Sequence, residues 1–286
     1  MKPAAFEYAR PETLDEAVTL LAEHGDEAKI LAGGQSLVPM LNMRLLRPTS
    51  LIDINHVVDL DNVVEEGSSV RLGALVRQAD PRLAGLPLVR ECLPHVGHFV
   101  TRNRGTVCGS IAHADPAAEL PLALVVLGGS VVAASARGRR EIAASEFFVT
   151  HFTTELEPDE LVVETVWPQA DDGWAYAFEE LSQRHGDFAL CAVAAAARAG
   201  ELRVGLGAVV DRPTMLDVDP AEPGRSAAAQ VEPFGNLHAS AGYLRELVRV
   251  LTDRAVARAR RASGRAAGAG EAASDGVSAR EDGSTP

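Results

Sequence analysis

The chain has 286 residues, is 47% hydrophobic and 23% charged, and carries a formal net charge of −13. That is a globular composition, long enough to bury a core without disulfide or metal staples. The acid excess excludes a protein that grips nucleic acid through clustered Lys and Arg. The three cysteines, Cys92, Cys108 and Cys191, form no CxxC pair. This excludes an iron–sulfur or zinc site carried by this chain alone and fits a reducing compartment. The N-terminus lacks an apolar leader, and no apolar run reaches the ~20 residues of a spanning helix. A cytoplasmic protein is expected, at most held to the cytoplasmic face of a membrane through partners.

In chain order, residues 11–24 read as a helix. Thr13 is its N-cap, Leu14, Ala17, Val18, Leu20 and Leu21 form its apolar stripe, and Gly25 ends it. Residues 28–32 read as a short strand, 37–44 as a helix and 51–54 as a second strand. A hairpin is expected over 63–73 around Gly67, and a helix interrupted by Pro87 and Pro94 over 82–99. Residues 125–134 and 160–167 read as strands, and a boundary is placed in the Pro, Gln, Asp and Gly cluster at 168–173. Beyond it, 174–182, 188–198 and 201–210 read as strands, although the alanine run within 189–197 has helical propensity. Loops are expected over 211–235 and an amphipathic helix over 240–261. Residues 262–286 hold too little apolar surface to offset their ordering entropy and read as a disordered tail. Strands and helices mix throughout, which gives an α+β class.

Two glycine loops carry the chemistry. In the first, the strand Lys29, Ile30, Leu31, Ala32 runs through Gly33, Gly34, Gln35 and Ser36 into a helix. Glycines let a backbone turn sharply and approach a ligand closely, and the N–H groups after them can face a phosphate. Neither a Walker lysine nor GxGxxG spacing is present, so the loop is neither a triphosphate loop nor a Rossmann fingerprint. The second loop runs from Arg102 through Gly105, Thr106, Cys108, Gly109, Ser110, His113, Ala114 and Asp115 to Glu119. It offers N–H and hydroxyl donors, with Asp115 and Glu119 as acceptors for sugar or ribityl hydroxyls. Two such loops could clamp the ends of a dinucleotide diphosphate. The Gly205 and Gly207 pair lies in a strand-like stretch and reads as structural.

These loops, together with Gly186-Asp187-Phe188-Ala189 and Ser240-Ala241-Gly242-Tyr243-Leu244-Arg245, resemble the FAD-binding medium subunit of the molybdenum hydroxylases. That family includes the carbon monoxide dehydrogenase and xanthine dehydrogenase types, and the resemblance covers about residues 1–261. It implies a two-lobed FAD-binding domain of the vanillyl-alcohol-oxidase type over 1–170, with lobes of about 1–57 and 58–170. A smaller domain of sheet plus helices follows over 174–261. It implies FAD as cofactor, held by Lys29, Ile30, Leu31, Ala32, Gly33, Gly34, Gln35 and Ser36 on the first loop. Thr106, Gly109, Ser110, Ala114 and Glu119 serve on the second, with Leu161 as an apolar contact. Glu179, Arg184 and Asp187 fall where the family approaches the flavin ring. It implies partners: a large subunit with the molybdenum cofactor and a small subunit with two 2Fe-2S clusters, assembled as a dimer of heterotrimers. Carbon monoxide dehydrogenase medium subunit is the favoured label. The alternatives are a stand-alone FAD oxidoreductase and a partner-binding subunit that has lost FAD.

Cys108 stands where the family usually has glycine. A positive φ there would cost a cysteine ~1 kcal/mol or more, and a thiol facing the cofactor would crowd it. Asp53 reads as a turn or cap residue, and Tyr8 and Tyr243 as packing residues. No Ser–His–Asp set or metal ligand set assembles, so no catalytic residue and no metal site are assigned.

Overall fold

The computed structural model describes residues 2–169 and 173–278, with side chains as far as Gly264. The first layer comprises β1 (Glu7–Ala9), α1 (Leu14–His24), β2 (Ala28–Leu31), α2 (Leu37–Asn42) and β3 (Ser50–Asp53), its strands parallel in the order β1-β3-β2. Thr13 caps α1, its hydroxyl oxygen accepting from the Glu16 amide at 3.2 Å, and Gly25 leaves the helix at φ +53°. Ala17, Val18 and Leu21 bury the predicted stripe.

The second layer is an antiparallel sheet in the order β4-β5-β10-β6-β7. Its strands are β4 (Val63–Glu66), β5 (Ser69–Gly73), β6 (Ser130–Ser135), β7 (Gly138–Ala143) and β10 (Leu161–Pro168). Between β5 and β6 run α3 (Pro87–Cys92), α4 (Phe99–Arg102), α5 (Val107–His113) and α6 (Glu119–Leu127). Between β7 and β10 lie α7 (Ala144–Phe147) and a ribbon of β8 (Phe148–Thr150) and β9 (Thr153–Thr154).

Two expectations are corrected here. Residues 82–99 are not one interrupted helix. Asp80 caps a 3-10 turn over Pro81–Gly85, Pro87 opens α3, and the chain leaves α3 at Leu93 just before Pro94. The strand expected over 125–134 begins only at Ser130, because residues 125–127 end α6 and Gly128 at φ +69° breaks the helix. All nine residues of α6 are buried, so its apolar run has no polar face from which a helical period could be read.

The third layer is an antiparallel sheet of β11 (Ala175–Ser182), β12 (Ala189–Arg198), β13 (Glu201–Gly207) and β14 (Thr214–Leu216). Two further helices, α8 (Pro223–Ala229) and α9 (Ala241–Ser278), complete it. The alanine run is a strand, against its propensity. Cys191, Val193, Ala195 and Ala197 share one buried cluster with the apolar face of α9. Ala192, Ala194 and Ala196 join the cluster of the preceding layers. A strand buried on both faces needs small side chains where helices press from either side, and burial overrides helix preference. The loops expected over 211–235 contain β14 and α8. The helix α9 runs on past residue 261. Of the disordered tail expected over 262–286, residues 262–278 instead continue α9, while residues 279–286 and the side chains beyond Gly264 lie outside the described residues.

Gly205 is structural, as expected, because α6 lies directly on it. A Cβ there would sit 2.3 Å from Val126 Cγ2 and 2.9 Å from Leu122 Cδ1. Gly205→Val is therefore expected to lower stability by about 1–3 kcal/mol through overpacking. A lowered denaturant midpoint with an unchanged slope checks it.

A cofactor cradle built from two glycine loops

The two glycine loops touch through their backbones. A Cβ at Gly33 would lie 2.5 Å from the Arg104 carbonyl oxygen, 2.7 Å from Gly105 Cα and 3.0 Å from the Thr106 amide nitrogen. No side chain fits in that gap. Gly34 follows at φ +71°, the left-handed turn that sends the chain from β2 into α2. The Gln35 side-chain amide folds back and donates to the Gly33 carbonyl at 3.0 Å, and Ser36 sits at the N-cap of α2 without a capping bond of its own. In the second loop the Thr106 hydroxyl oxygen accepts from the Gly109 amide at 3.0 Å and caps α5. A Cβ at Gly109 would lie 2.6 Å from that hydroxyl. Ser110 follows on α5, and Ala114 ends the helix at φ +50°.

A hydrogen-bonded chain behind the cradle holds the loops together. Arg77 donates to the Arg104 carbonyl at 2.6 Å and to Asn55 Oδ1 at 2.7 Å. The Asn55 side-chain amide donates to the Ala32 carbonyl at 2.8 Å and to Asp53 Oδ1 at 2.6 Å. Tyr8 donates to Asp53 Oδ2 at 2.6 Å. Burial works to raise the Asp53 carboxyl, but the bonds from Tyr8 and Asn55 outweigh it and hold its pKa below the usual carboxylate value. Burial, and then the nearby Arg104 charge, lower the Arg77 pKa. The backbone is stitched as well, with the Gln78 amide donating to the Gly105 carbonyl at 2.9 Å and the Val107 amide to that of Val76 at 3.0 Å. Asp53 caps the turn after β3, as expected, accepting from the Asn55 amide at 3.0 Å. Tyr8 is not a packing residue: it is 55% exposed and works through its hydroxyl. Asn55 and Arg77 are absent from the sequence reading. The bonds that tie them to the two glycine loops, and to each other, span more than twenty positions along the chain.

The concern over Cys108 is overturned. Its residue lies inside α5 with no positive φ, its side chain is buried, and Sγ donates to the Leu72 carbonyl at 3.4 Å. Burial pushes the thiol up to about 12, so it is neutral at physiological pH.

The remaining predicted residues are spread around the cradle. Lys29, Ile30, Leu31 and Ala32 form β2 and its exit into the first loop. Glu119 is the first residue of α6 and is buried. Burial raises its carboxyl to about 7, opposed by its helix N–H bond and by Arg102. Leu161 starts β10 opposite Ala134 and is buried in the core. Arg184 and Asp187 lie exposed on the β11–β12 turn, where a Cβ at Gly186, itself at φ +85°, would lie 3.0 Å from the Gly97 carbonyl oxygen. The structure does not bring Glu179 to the loops: its carboxylate accepts from Arg258 of α9 at 2.6 Å. The neighbouring Glu180 alternates to the other face of β11 and lies 3.9 Å from His95 Nδ1.

Two outcomes are expected. Gly33→Ala forces the loops apart, because its methyl group meets backbone rather than a movable side chain. It should abolish retention of FAD on gel filtration while far-UV circular dichroism stays unchanged. Cys108→Gly should not tighten FAD binding. It should lower stability by about 2 kcal/mol, from a helix-interior glycine and a small cavity, as read by chemical denaturation.

Comparison with known proteins agrees with this geometry. Residues 4–170 match the family described as the FAD binding domain in molybdopterin dehydrogenase. The chain is 38% identical over 283 residues to the 6-hydroxypseudooxynicotine dehydrogenase complex subunit alpha of Paenarthrobacter nicotinovorans, covering 91% of this chain and 96% of that protein. It is 40% identical over 200 residues to the carbon monoxide dehydrogenase medium chain of Hydrogenophaga pseudoflava, covering 68% of this chain and 70% of that one. A solved structure of carbon monoxide dehydrogenase from the same organism superposes with a TM-score of 0.87 at 32% identity, covering 91% of this chain and 99% of the matched one. The glycine cradle, the layered fold and these relatives agree, and the chain belongs to the FAD-binding oxidoreductase subunits of the molybdenum hydroxylase family.

Proposed function

We propose that this chain is the electron-transferring FAD subunit of a three-subunit molybdenum hydroxylase of the carbon monoxide dehydrogenase type. The observation that carries the reading is the backbone contact of Gly33 with Arg104 and Gly105, which joins two donor-rich loops into one cradle. FAD supplies the redox chemistry when bound, taking electrons from the 2Fe-2S clusters of a small subunit and releasing them to an external acceptor. The protein's share is position and electrostatics. The N–H groups of Gly34, Gln35 and Ser36 and the Ser110 hydroxyl would hold the diphosphate, and Glu119 would accept from cofactor hydroxyls. The helix α6 packs on β12 and β13 and so joins the third layer to the FAD-binding layers.

Substrate oxidation belongs to the molybdenum centre of a large subunit. Relatives of this chain carry names as different as caffeine dehydrogenase and carbon monoxide dehydrogenase. Similar FAD subunits therefore serve chemically unlike substrates, and the substrate is set elsewhere in the complex. The assembly proposed is a dimer of heterotrimers in the cytoplasm. Among the described residues no helix is long and apolar enough to cross a membrane.

The test is an affinity purification of the tagged chain from its native host, read by visible absorption, metal analysis and mass in solution. About one FAD per chain, with molybdenum and iron co-purifying in a particle of two sets of three subunits, is the expected result. Retained FAD without either metal, together with turnover by the isolated chain, would replace this reading with a stand-alone flavoprotein.

A further inference from the structure

The face of α5 that carries the cofactor donors does not end at Ser110. Gly109, Ser110 and His113 stand on one half-buried face at helical spacing, while Val107, Cys108 and Ile111 are buried on the other. Beyond His113 the strip is continued by Phe152, at the tip of the ribbon between β8 and β9. The two rings lie 5.1 Å apart between centroids, tilted by 44°. Burial lowers the His113 pKa, against the pull of Asp115, so at neutral pH an uncharged imidazole packs on Phe152. Phe152 itself is 57% exposed, which leaves more than half of an aromatic residue open beside the cradle.

The tip is held there against its own preference. Phe152 has φ +53°, a conformation that a bulky side chain rarely adopts. Ala114 at φ +50° and Ala208 at φ +69° share this conformation. All three are tied to the end of the second loop: the Phe152 amide donates to the Ala114 carbonyl at 3.0 Å, and the Ala208 amide to the Pro116 carbonyl at 2.7 Å. From the third layer, Arg212 donates to the Phe148 and Val149 carbonyls at 3.0 and 3.3 Å, and Asp211 accepts from the Thr150 hydroxyl at 3.4 Å. The ribbon is thus gripped from two sides. Strain of this kind persists only where the surroundings over-determine it, and it clusters where ligands are held.

We propose that Phe152 is a cofactor-contact residue, its ring forming an aromatic platform for the flavin of bound FAD at the end of α5 remote from the first loop. This rests on the reading of the two glycine loops as an FAD cradle. The first loop meets the second at Arg104, Gly105 and Thr106, on the N-terminal side of α5. The helix has seven residues and is about 10 Å long, so a dinucleotide with its diphosphate at Gly109 and Ser110 reaches Phe152 with one of its two ends. The flavin is the end assigned, because it must stay open to an electron donor and an acceptor, and Phe152 lies at the surface. An aromatic face suits a flat π-system, and a ring already fixed before binding loses little ordering entropy when the flavin arrives.

In the experiment, the full-length chain, purified through a tag with any subunits it binds, is stripped of flavin. It is then titrated with FAD and with ADP, which carries the diphosphate and adenosine without the flavin. Binding is read by calorimetry, and the bound flavin by its fluorescence. Phe152→Gly removes the ring and suits the positive φ, so the ribbon keeps its backbone path. It is expected to weaken FAD binding about tenfold, the size of one lost aromatic stack, with ADP affinity unchanged and bound-flavin fluorescence less quenched. Phe152→Tyr should bind FAD like the wild type. An equal loss for FAD and ADP in Phe152→Gly overturns the proposal, since the ring then only shapes the diphosphate loop. If that variant does not fold, Phe152→Leu, which keeps an apolar side chain, carries the same comparison. FAD bound equally by wild type and variant overturns this proposal alone, whereas a wild type that binds no FAD overturns the cofactor reading and the proposal with it.

Discussion

The close approach of Gly33 to the Arg104–Gly105 backbone is the constraint on which the rest of the site depends. There a loop of the parallel αβ layer meets a loop of the antiparallel layer backbone to backbone, with no room for a side chain at Gly33. Each loop alone is an ordinary glycine turn. Pressed together, they bring the turn after Gly33 and the capped start of α5 side by side. The contact brings a desolvation cost, since backbone carbonyls at such a seam need partners. Arg77 meets that need. One guanidinium satisfies the Arg104 carbonyl and Asn55, and Asn55 in turn satisfies the Ala32 carbonyl on the other loop. Its planar fork suits this task in a way a lysine ammonium does not.

The third layer is attached by the same economy of small side chains. β12 is covered by α9 on one face and by the FAD-binding layers on the other, and its alanines permit both approaches. Gly205 and Gly207 let α6 lie on β13. Because α6 begins with Glu119, the helix that docks the C-terminal layer also delivers an acidic side chain to the end of the second loop. Arg258 ties the same joint from the far side by linking α9 to α3 and β11. The same elements thus join the third layer to the other two and carry Glu119.

Buried ionisable groups are concentrated at that joint, where burial shifts pKa values most strongly. They could not be found from sequence. Glu119 belongs to a recognisable loop, but Glu180 is one of two adjacent glutamates in a strand, and only strand alternation decides which faces the cofactor layers. Glu179 pairs with Arg258 and faces α9, and Glu180 occupies the inward position.

The sequence by itself determined what local rules and matched motifs can carry. Thr13 and Gly25 bounded α1, Asp53 declared itself a cap, and the two glycine loops identified the cofactor and the family. It also yielded the strand character of the alanine run. Tertiary structure decided what depends on approach between distant segments. It turned the glycine loops into one cradle, recruited Asn55 and Arg77, moved Cys108 from suspected obstruction to core residue, and showed Tyr8 working through its hydroxyl. It also decided the uniformly apolar stretch at 120–127, where no period separates helix from strand and packing on all sides makes a helix. The physical reason is common to these cases. A residue's conformation can be encoded within a few neighbours, whereas desolvation, hydrogen-bond partnership and charge coupling depend on atoms that only the folded chain brings together.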